Sequence, residues 1–259
     1  MIKFIKRFYL ALILLVMYAP VAVLMVFSFN DSKLPIWKGF TLNWYQNLLD
    51  DRSIQQSFIY TIIVALVSSL IATCIGTLAA VGIHQMKGFK RNLLINITYI
   101  PLLSPDIVIG ISLMMLFSVL NIPFGLPTLI ISHITFSIPY VILSIMPKLK
   151  QMNFNVYEAA LDLGATPWYA FRKVILPEIM PGVLAGLFIA FTLSIDDFVV
   201  SFFNTGAGVD TLPIKIYAMA RKGINPTINA VSTIMFSVII LVLLISNIKA
   251  NKKEKTQGI

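Results

Sequence analysis

Six apolar runs of about 20 residues or more divide the chain, at 8–29, 57–82, 93–120, 127–146, 182–203 and 228–248. Each can cross about 30 Å of hydrocarbon as an α-helix. Over 259 residues, 58% are hydrophobic and only 12% charged, about half the charged share of a soluble domain. A water-soluble core cannot hide that much apolar surface. The composition therefore excludes a disordered chain, an ordinary cytosolic enzyme and a disulfide-stapled secreted module. Cys74, the single cysteine, lies inside an apolar run and forms no intrachain disulfide. In lipid every backbone polar group must be satisfied within the segment, which leaves helices for runs of this length. The expected fold class is all-α: a polytopic transmembrane helical bundle of six spans, forming one domain over 1–259.

Lys3, Lys6 and Arg7 before the first run resemble the start of a signal peptide. The run exceeds the 7–15 residues of a signal core and no small-x-small site closes it, so a retained first span is expected. Six spans place both termini on one side. With the N-terminus inside, 14 of the 20 lysines and arginines fall on inner segments and 6 on outer ones. The positive-inside rule then gives an N-in, C-in topology, that of a multi-pass bundle of the inner-membrane type bathed in membrane lipid. The net charge of +9 is accounted for by this loop placement, and no nucleic acid partner is expected.

Three connections are long. The outer segment 30–56 carries Pro35, Trp37, Trp44 and Tyr45, suited to an interfacial belt or a docking surface. The outer segment 204–227, with Gly206, Gly208, Pro213, Gly223 and Pro226, predicts a turn-rich loop with a short helix near 214–219. The inner segment 147–181 carries the most information. Val156, Ala159, Ala160 and Leu163 repeat at helical spacing. Gly164 stands where a glycine ends a helix, and Thr166-Pro167 has the chemistry of an N-cap followed by a first helical residue. Pro177 and Pro181 bracket the expected return into the membrane. On physical grounds alone the segment fits either a helix resting on lipid or a docking element.

The pattern Glu158-Ala159-Ala160, Gly164, then Val174-Ile175-Leu176-Pro177 resembles the EAA loop of the permease subunits of ABC importers. Val174 departs mildly from that family's Ile-x-Leu-Pro ending. The resemblance implies a type I importer permease fold, with 153–177 as a cytoplasmic coupling loop seated on an ATPase. Glu158, Ala159, Ala160, Gly164, Leu176 and Pro177 would carry the coupling. Small Ala159 and Ala160 allow close backbone approach, and Glu158 offers an acceptor. The chain has no G-x-x-x-x-G-K-[ST] phosphate loop; the nearest glycine pair, Gly82 and Gly88, is followed by Phe89. No cofactor is expected, because ATP would be bound by a partner subunit.

Three acids lie inside apolar runs, where each costs about 2.5–3.5 kcal/mol on insertion scales. Asp106 follows Ser104-Pro105 in the third run, and Asp196-Asp197 follow Ser194-Ile195 in the fifth. Treated as straight helices, both runs lift their acids about 21 Å, to one depth just past the midplane. Pro101 and Pro105 loosen that estimate for the third run. No lysine or arginine shares a span with them, so they must face water, take a proton or meet an arriving cation. Asp106, Asp196 and Asp197 are therefore the candidate substrate pathway. Consecutive Asp196 and Asp197 point about 100° apart on a helix, so one faces the pathway and the other a partner helix or loop backbone.

Together with Ser132-His133-Ile134-Thr135-Phe136 and Leu212-Pro213-Ile214-Lys215-Ile216-Tyr217, these stretches are similar over essentially the whole chain to permeases of spermidine/putrescine ABC importers. The resemblance implies four kinds of partner or cargo: a second homologous permease, a cytoplasmic ATPase dimer, an extracytoplasmic polyamine-binding protein and the polyamine. It implies no catalytic residue and no metal. Beside it stand a non-catalytic assembly or insertion factor, which would need no acids in its spans, and two more specific alternatives. One is an ABC permease for iron, thiamine or sulfate, of which an anion would sit poorly beside the acids. The other is an intramembrane aspartyl protease, whose Gly-x-Gly-Asp motif is missing here.

Other features are weaker. His133 reads as a hydrogen-bonded core residue before a proton relay, and His84 has no spaced metal partners. Gly182-x-x-x-Gly186 and Ala72-x-x-x-Gly76-x-x-x-Ala80 permit close helix packing. Trp44, Tyr45 and Tyr217 suit a belt before cation stacking. The tail 249–255 reads as a solvated terminus.

Overall fold

A computed structural model describes the backbone of residues 2–34, 36–222 and 226–257 and the side chains of 6–34, 36–222 and 226–241. Pro35 and Gly223 of the outer segments fall outside the described residues. In chain order the helices are α1 (Ile2–Phe27), α2 (Asn43–Asp50), α3 (Arg52–Gln85), α4 (Gly88–Leu103), α5 (Asp106–Val119), α6 (Leu126–Gln151), α7 (Asn155–Asp162) and α8 (Pro167–Ala170). A π-helical turn, Phe171–Ile175, joins α8 to α9 (Leu176–Asp196), followed by α10 (Val199–Asn204), α11 (Leu212–Arg221) and α12 (Pro226–Gln257). Among the described residues the only β pairing is the isolated bridge between Asn30 and Phe40. Four helical stretches are long and apolar enough to cross a membrane: Lys6–Phe27, Arg52–Gln85, Leu126–Gln151 and Pro167–Asp196. The pair α4–α5 adds a fifth crossing if its two halves make one span, and α12 contributes the shorter apolar stretch Pro226–Leu241.

Two expected spans differ from continuous helices. The run 93–120 breaks at Ser104-Pro105, where α4 and α5 meet at a bend of 106°. Pro105 has no N–H and crowds the residue before it, and Ser104 accordingly takes the extended ψ of 141°. The run 182–203 breaks after Asp196: Asp197 is extended, with φ −64° and ψ 121°, and α10 begins at Val199. Counting turns still holds for Asp196, since α9 is continuous through that residue, but the bend before Asp106 removes the count for the third run, and each acid sits at a helix break. The fifth span also starts earlier than its apolar run. Pro177 and Pro181 lie within α9, which continues through the π turn from Pro167. The π turn supplies the register change that lets two short segments merge into one long helix.

The chain divides into two compact units, one of residues 1–56 and 215–245, the other of 57–214 with 246–259. In the first unit, the end of α1 folds into a knot around Asn30, which is 1% exposed. Its side-chain amide donates to the Ile36 carbonyl at 2.9 Å, its carbonyl accepts from the Lys38 N–H at 2.9 Å, and Trp44 Nε1 donates to its backbone oxygen at 2.8 Å. Tyr45 shares a 2.7 Å hydrogen bond with the Ser28 hydroxyl, and the Phe29 ring stacks between Phe40 and Tyr45. Trp44 and Tyr45 thus hold this knot together.

In the second unit α6 and α9 pack side by side around Val141, Ile145, Leu149, Ile175 and Ile179, all buried. Small residues make the approach possible. A Cβ on Gly182 would lie 3.0 Å from the Ser144 carbonyl oxygen, and one on Gly186 would lie 3.2 Å from Val141 Cα. On α3, Ala72 and Ala80 are fully buried and a Cβ on Gly76 would strike the Val141 side chain at 2.7 Å. Both small-residue motifs are packing faces, as their spacing predicts. A smaller apolar cluster, Leu113, Phe117, Phe136 and Val200, joins α5, α6 and α10.

Candidate functional site

The second halves of the two broken helices pack against each other. Gly110 of α5 leaves room for α10: its missing Cβ would lie 3.2 Å from Phe203 and 3.4 Å from both Val199 O and Val200 Cα. Asn204, fully buried, donates through its Nδ2 to Gly110 O at 3.0 Å and to Val200 O at 2.9 Å. Asp106 precedes Gly110 by one turn and Asp196 lies just before Val199, so this contact draws the two acids together. Asp106 is near enough for its charge to act on Asp196 and on Tyr140 of α6.

The three acids have different surroundings. Asp106 and Asp196 are exposed. Asp106 opens α5, where an anion complements the helix dipole. Asp196 is the last residue of α9, a helix end already negative in character, so its carboxylate and that dipole together favour a cation. Asp197 is turned back on its own backbone. Its carboxylate accepts from the Val200 N–H at 3.2 Å and the Ser201 N–H at 2.6 Å, capping the restarted helix. Among the described residues no lysine or arginine pairs with any of the three.

Behind the acids lies a buried polar cluster. His133 of α6 is fully buried, with Nδ1 2.6 Å from Ser194 Oγ and Nε2 3.0 Å from Ser201 Oγ. Asp197 Oδ2 lies 3.5 Å from Nε2. Ser68 of α3 reaches Ser194 at 3.3 Å. His133 is therefore a hydrogen-bonded core residue. Sequence reasoning did not single out Tyr140 or Ser201. A signal existed for Tyr140: His133, Phe136 and Tyr140 occupy positions i, i+3 and i+7 of α6 and so share one face.

In the loop 153–177, α7 ends as the sequence predicts. Gly164 has φ +87°, the Gly164 N–H donates to Leu161 O at 2.9 Å and the Ala165 N–H to Ala160 O at 3.1 Å. This pair of bonds is a Schellman turn, which requires a residue free to adopt the left-handed region. Thr166 caps α8, its hydroxyl accepting from the Tyr169 N–H at 3.3 Å. Phe154 and Tyr157 anchor the loop on the α6–α9 core, and the Phe154 ring stacks on His84 at 5.0 Å. Glu158, Ala159, Gly164 and Pro177 are exposed, Ala160 and Leu176 half-buried; Leu163 is 89% and Trp168 65% exposed. Such large apolar side chains on a loop mark a surface built to be covered.

A family model described as "Binding-protein-dependent transport system inner membrane component" matches residues 72–250. The spermidine/putrescine transport system permease protein PotC of Shigella flexneri is 40% identical over 243 residues, covering 93% of this chain and 92% of the relative. The putrescine transport system permease protein PotI of Escherichia coli (strain K12) is 36% identical over 231 residues, covering 86% of this chain and 82% of the relative. A solved bacterial ABC transporter that imports the acidic polysaccharide alginate contains a chain with TM-score 0.71 and 18% identity, covering 96% of this chain and 98% of that one. At that identity the likeness speaks to the fold alone.

Proposed function

The chain belongs to the family of inner membrane components of binding-protein-dependent transport systems, and from that premise we propose that it is a permease subunit of an ATP-driven importer of polyamines such as spermidine and putrescine. Its relatives are transport permeases carrying polyamine names, and its fold is that of type I ABC importer permeases. An intramembrane protease and importers of iron, thiamine or sulfate draw no support from these relatives.

The observation that carries the reading at the level of chemistry is the pair of exposed acids, Asp106 and Asp196, at two helix breaks within the apolar runs and, among the described residues, without a basic partner. Broken helices in a membrane present charged termini and freed carbonyls to a solute. A polyamine, several ammonium groups on apolar methylene stems, matches two exposed acids set within apolar runs. Asp197 contributes by fixing the restart of α10.

In this reading the chain crosses the membrane six times with both termini inside, α12 providing the last crossing. A second homologous permease completes the pathway. An extracytoplasmic polyamine-binding protein delivers the solute to the outer segments around 30–56 and 204–227. A cytoplasmic ATPase dimer binds and hydrolyses ATP, and its closure moves α7 and the Glu158–Gly164 turn, so that the spans rock and the open side changes. This subunit forms no covalent intermediate.

Radiolabelled spermidine uptake by cells carrying the complete transporter tests the reading. Removing one of two carboxylates that meet a cation costs on the order of 1–3 kcal/mol, so Asp196→Asn and Asp106→Asn should each raise the apparent KM about fivefold to a hundredfold. Wild-type KM in both variants would sink the acidic-pathway assignment.

A further inference from the structure

The break between α9 and α10 is unusual because neither proline nor glycine makes it: the residues are Asp196, Asp197 and Phe198. An interrupted helix within a span leaves unpaired backbone groups, and something must hold the two ends in a fixed relation. Capping by Asp197 satisfies N–H groups of α10 only. It does not fix α10 relative to the last turn of α9.

One side chain touches both ends. Through Nδ1 the His133 imidazole meets Ser194, two residues before Asp196; through Nε2 it meets Ser201, in the first turn of α10. The same Nε2 faces the Asp197 carboxylate at 3.5 Å. A neutral imidazole has one donor and one acceptor, and serine hydroxyls take either role, so the bridge is satisfied without a charge. The Asp197 carboxylate favours the tautomer with its proton on Nε2, which leaves Nδ1 to accept from the Ser194 hydroxyl. His133 itself is fully buried and does not face the pathway.

We propose that His133 is a positioning residue for solute recognition: by tying Ser194 to Ser201 across the break, it fixes where the exposed Asp196 carboxylate stands relative to Asp106. The proposal rests on the reading of those two acids as the cation site. Ser68 of α3, 3.3 Å from Ser194, connects the bridge to a third helix. A change in how α3, α6 and α9 pack would therefore reach Asp196 directly. Asn204 acts on the other side of the same arrangement by holding α10 against α5.

The test measures spermidine uptake against concentration in cells carrying the complete transporter, with permease abundance quantified. His133→Phe keeps a ring but removes both nitrogens. Loss of a bridging hydrogen bond is worth about a factor of ten, so its apparent KM should rise about tenfold while maximal uptake per permease changes less than about twofold. His133→Gln, whose amide carries one acceptor and one donor on adjacent branches, should restore KM to within about threefold of wild type. A merely structural role would lower abundance and maximal uptake together and leave KM alone; that result overturns the proposal. Should the Phe variant fail to assemble, Ser201→Ala cuts only the far arm of the bridge, and a wild-type KM there is equally fatal. Asp196→Asn, measured in parallel, separates the two ideas. If it raises KM and neither His133→Phe nor Ser201→Ala does, positioning is refuted and the acidic site stands. If Asp196→Asn leaves KM unchanged, Asp196 is no part of the solute site and His133 has nothing to position, so the proposal is refuted whatever the His133 variants do. Adding His133→Phe to Asp196→Asn should raise KM less than about twofold further, since a positioner has nothing left to position.

Discussion

Replacing Gly206 with alanine isolates the packing that holds the acidic breaks in place. Gly206 follows α10 and lies against the turn between α5 and α6. A Cβ there would overlap the Phe124 carbonyl group and approach the Gly125 nitrogen at 2.7 Å, all backbone atoms that no rotamer change can move. Gly206 lies outside the left-handed region, so conformational strain plays no part. With ordinary contacts near 3.5 Å, the loop must retreat by about 0.8 Å or more. It is pinned where it would retreat: Thr128 Oγ1 donates to Asn204 O at 3.0 Å, the Thr205 N–H to Ser201 O at 3.0 Å, and the Thr205 hydroxyl to Val209 O. Two of these bonds at about 1 kcal/mol each, with overpacking of about 1–3 kcal/mol, give a loss of about 3–5 kcal/mol. For a unit of this size that is a fall of about 6–20 °C in apparent melting temperature. The assay is thermal melting of the detergent-solubilised transporter, followed by loss of the monodisperse elution peak. Gly82→Ala is the control, since a Cβ there meets nothing within 4 Å. If Gly206→Ala melts within about 2 °C of wild type, the backbone contact at Phe124 does not constrain the fold as argued.

Two further perturbations probe other parts of the chain. Gly164→Val forces a β-branched residue to φ +87° at a position where nothing lies within 4 Å of the added Cβ, so the cost of about 1–2 kcal/mol is purely conformational. Spermidine uptake per permease should fall at least about threefold with expression retained, and unchanged uptake would remove the coupling turn from the mechanism. Asn30→Ala leaves the Ile36 carbonyl and the Lys38 N–H of the α1 knot without their side-chain partner, costing about 1–3 kcal/mol. Proteolytic cleavage within 30–42 should speed up at least about fivefold, and an unchanged cleavage rate would show that the knot stands without Asn30.

Much of the molecule was legible before any coordinates. The solvent and helical class followed from the length of the apolar runs. The Gly164 turn and the Thr166 cap followed from local chemistry, because each satisfies its hydrogen bonds within a few residues. The Gly182/Gly186 and Ala72/Gly76/Ala80 faces followed from spacing. The break at Pro105 had a visible cause, and its size did not. The break at Asp197 was hidden, because an aspartate that caps a new helix looks, in a row of apolar residues, like an acid on a continuous one.

Sequence by itself determined what this chain needs: lipid for its surface, helices for its backbone, and water, a proton or a cation for acids that share no span with a lysine or arginine. Tertiary structure alone decided how the three acids are surrounded. Asp196 is exposed, Asp197 caps the restarted helix through the Val200 and Ser201 N–H groups, and Ser194 and Ser201 on the two sides of the break meet His133 of another helix, 61 and 68 residues away in sequence. Interrupting a helix in an apolar run is tolerable only when distant side chains satisfy and fix its ends, and those contacts exist only once the helices have packed.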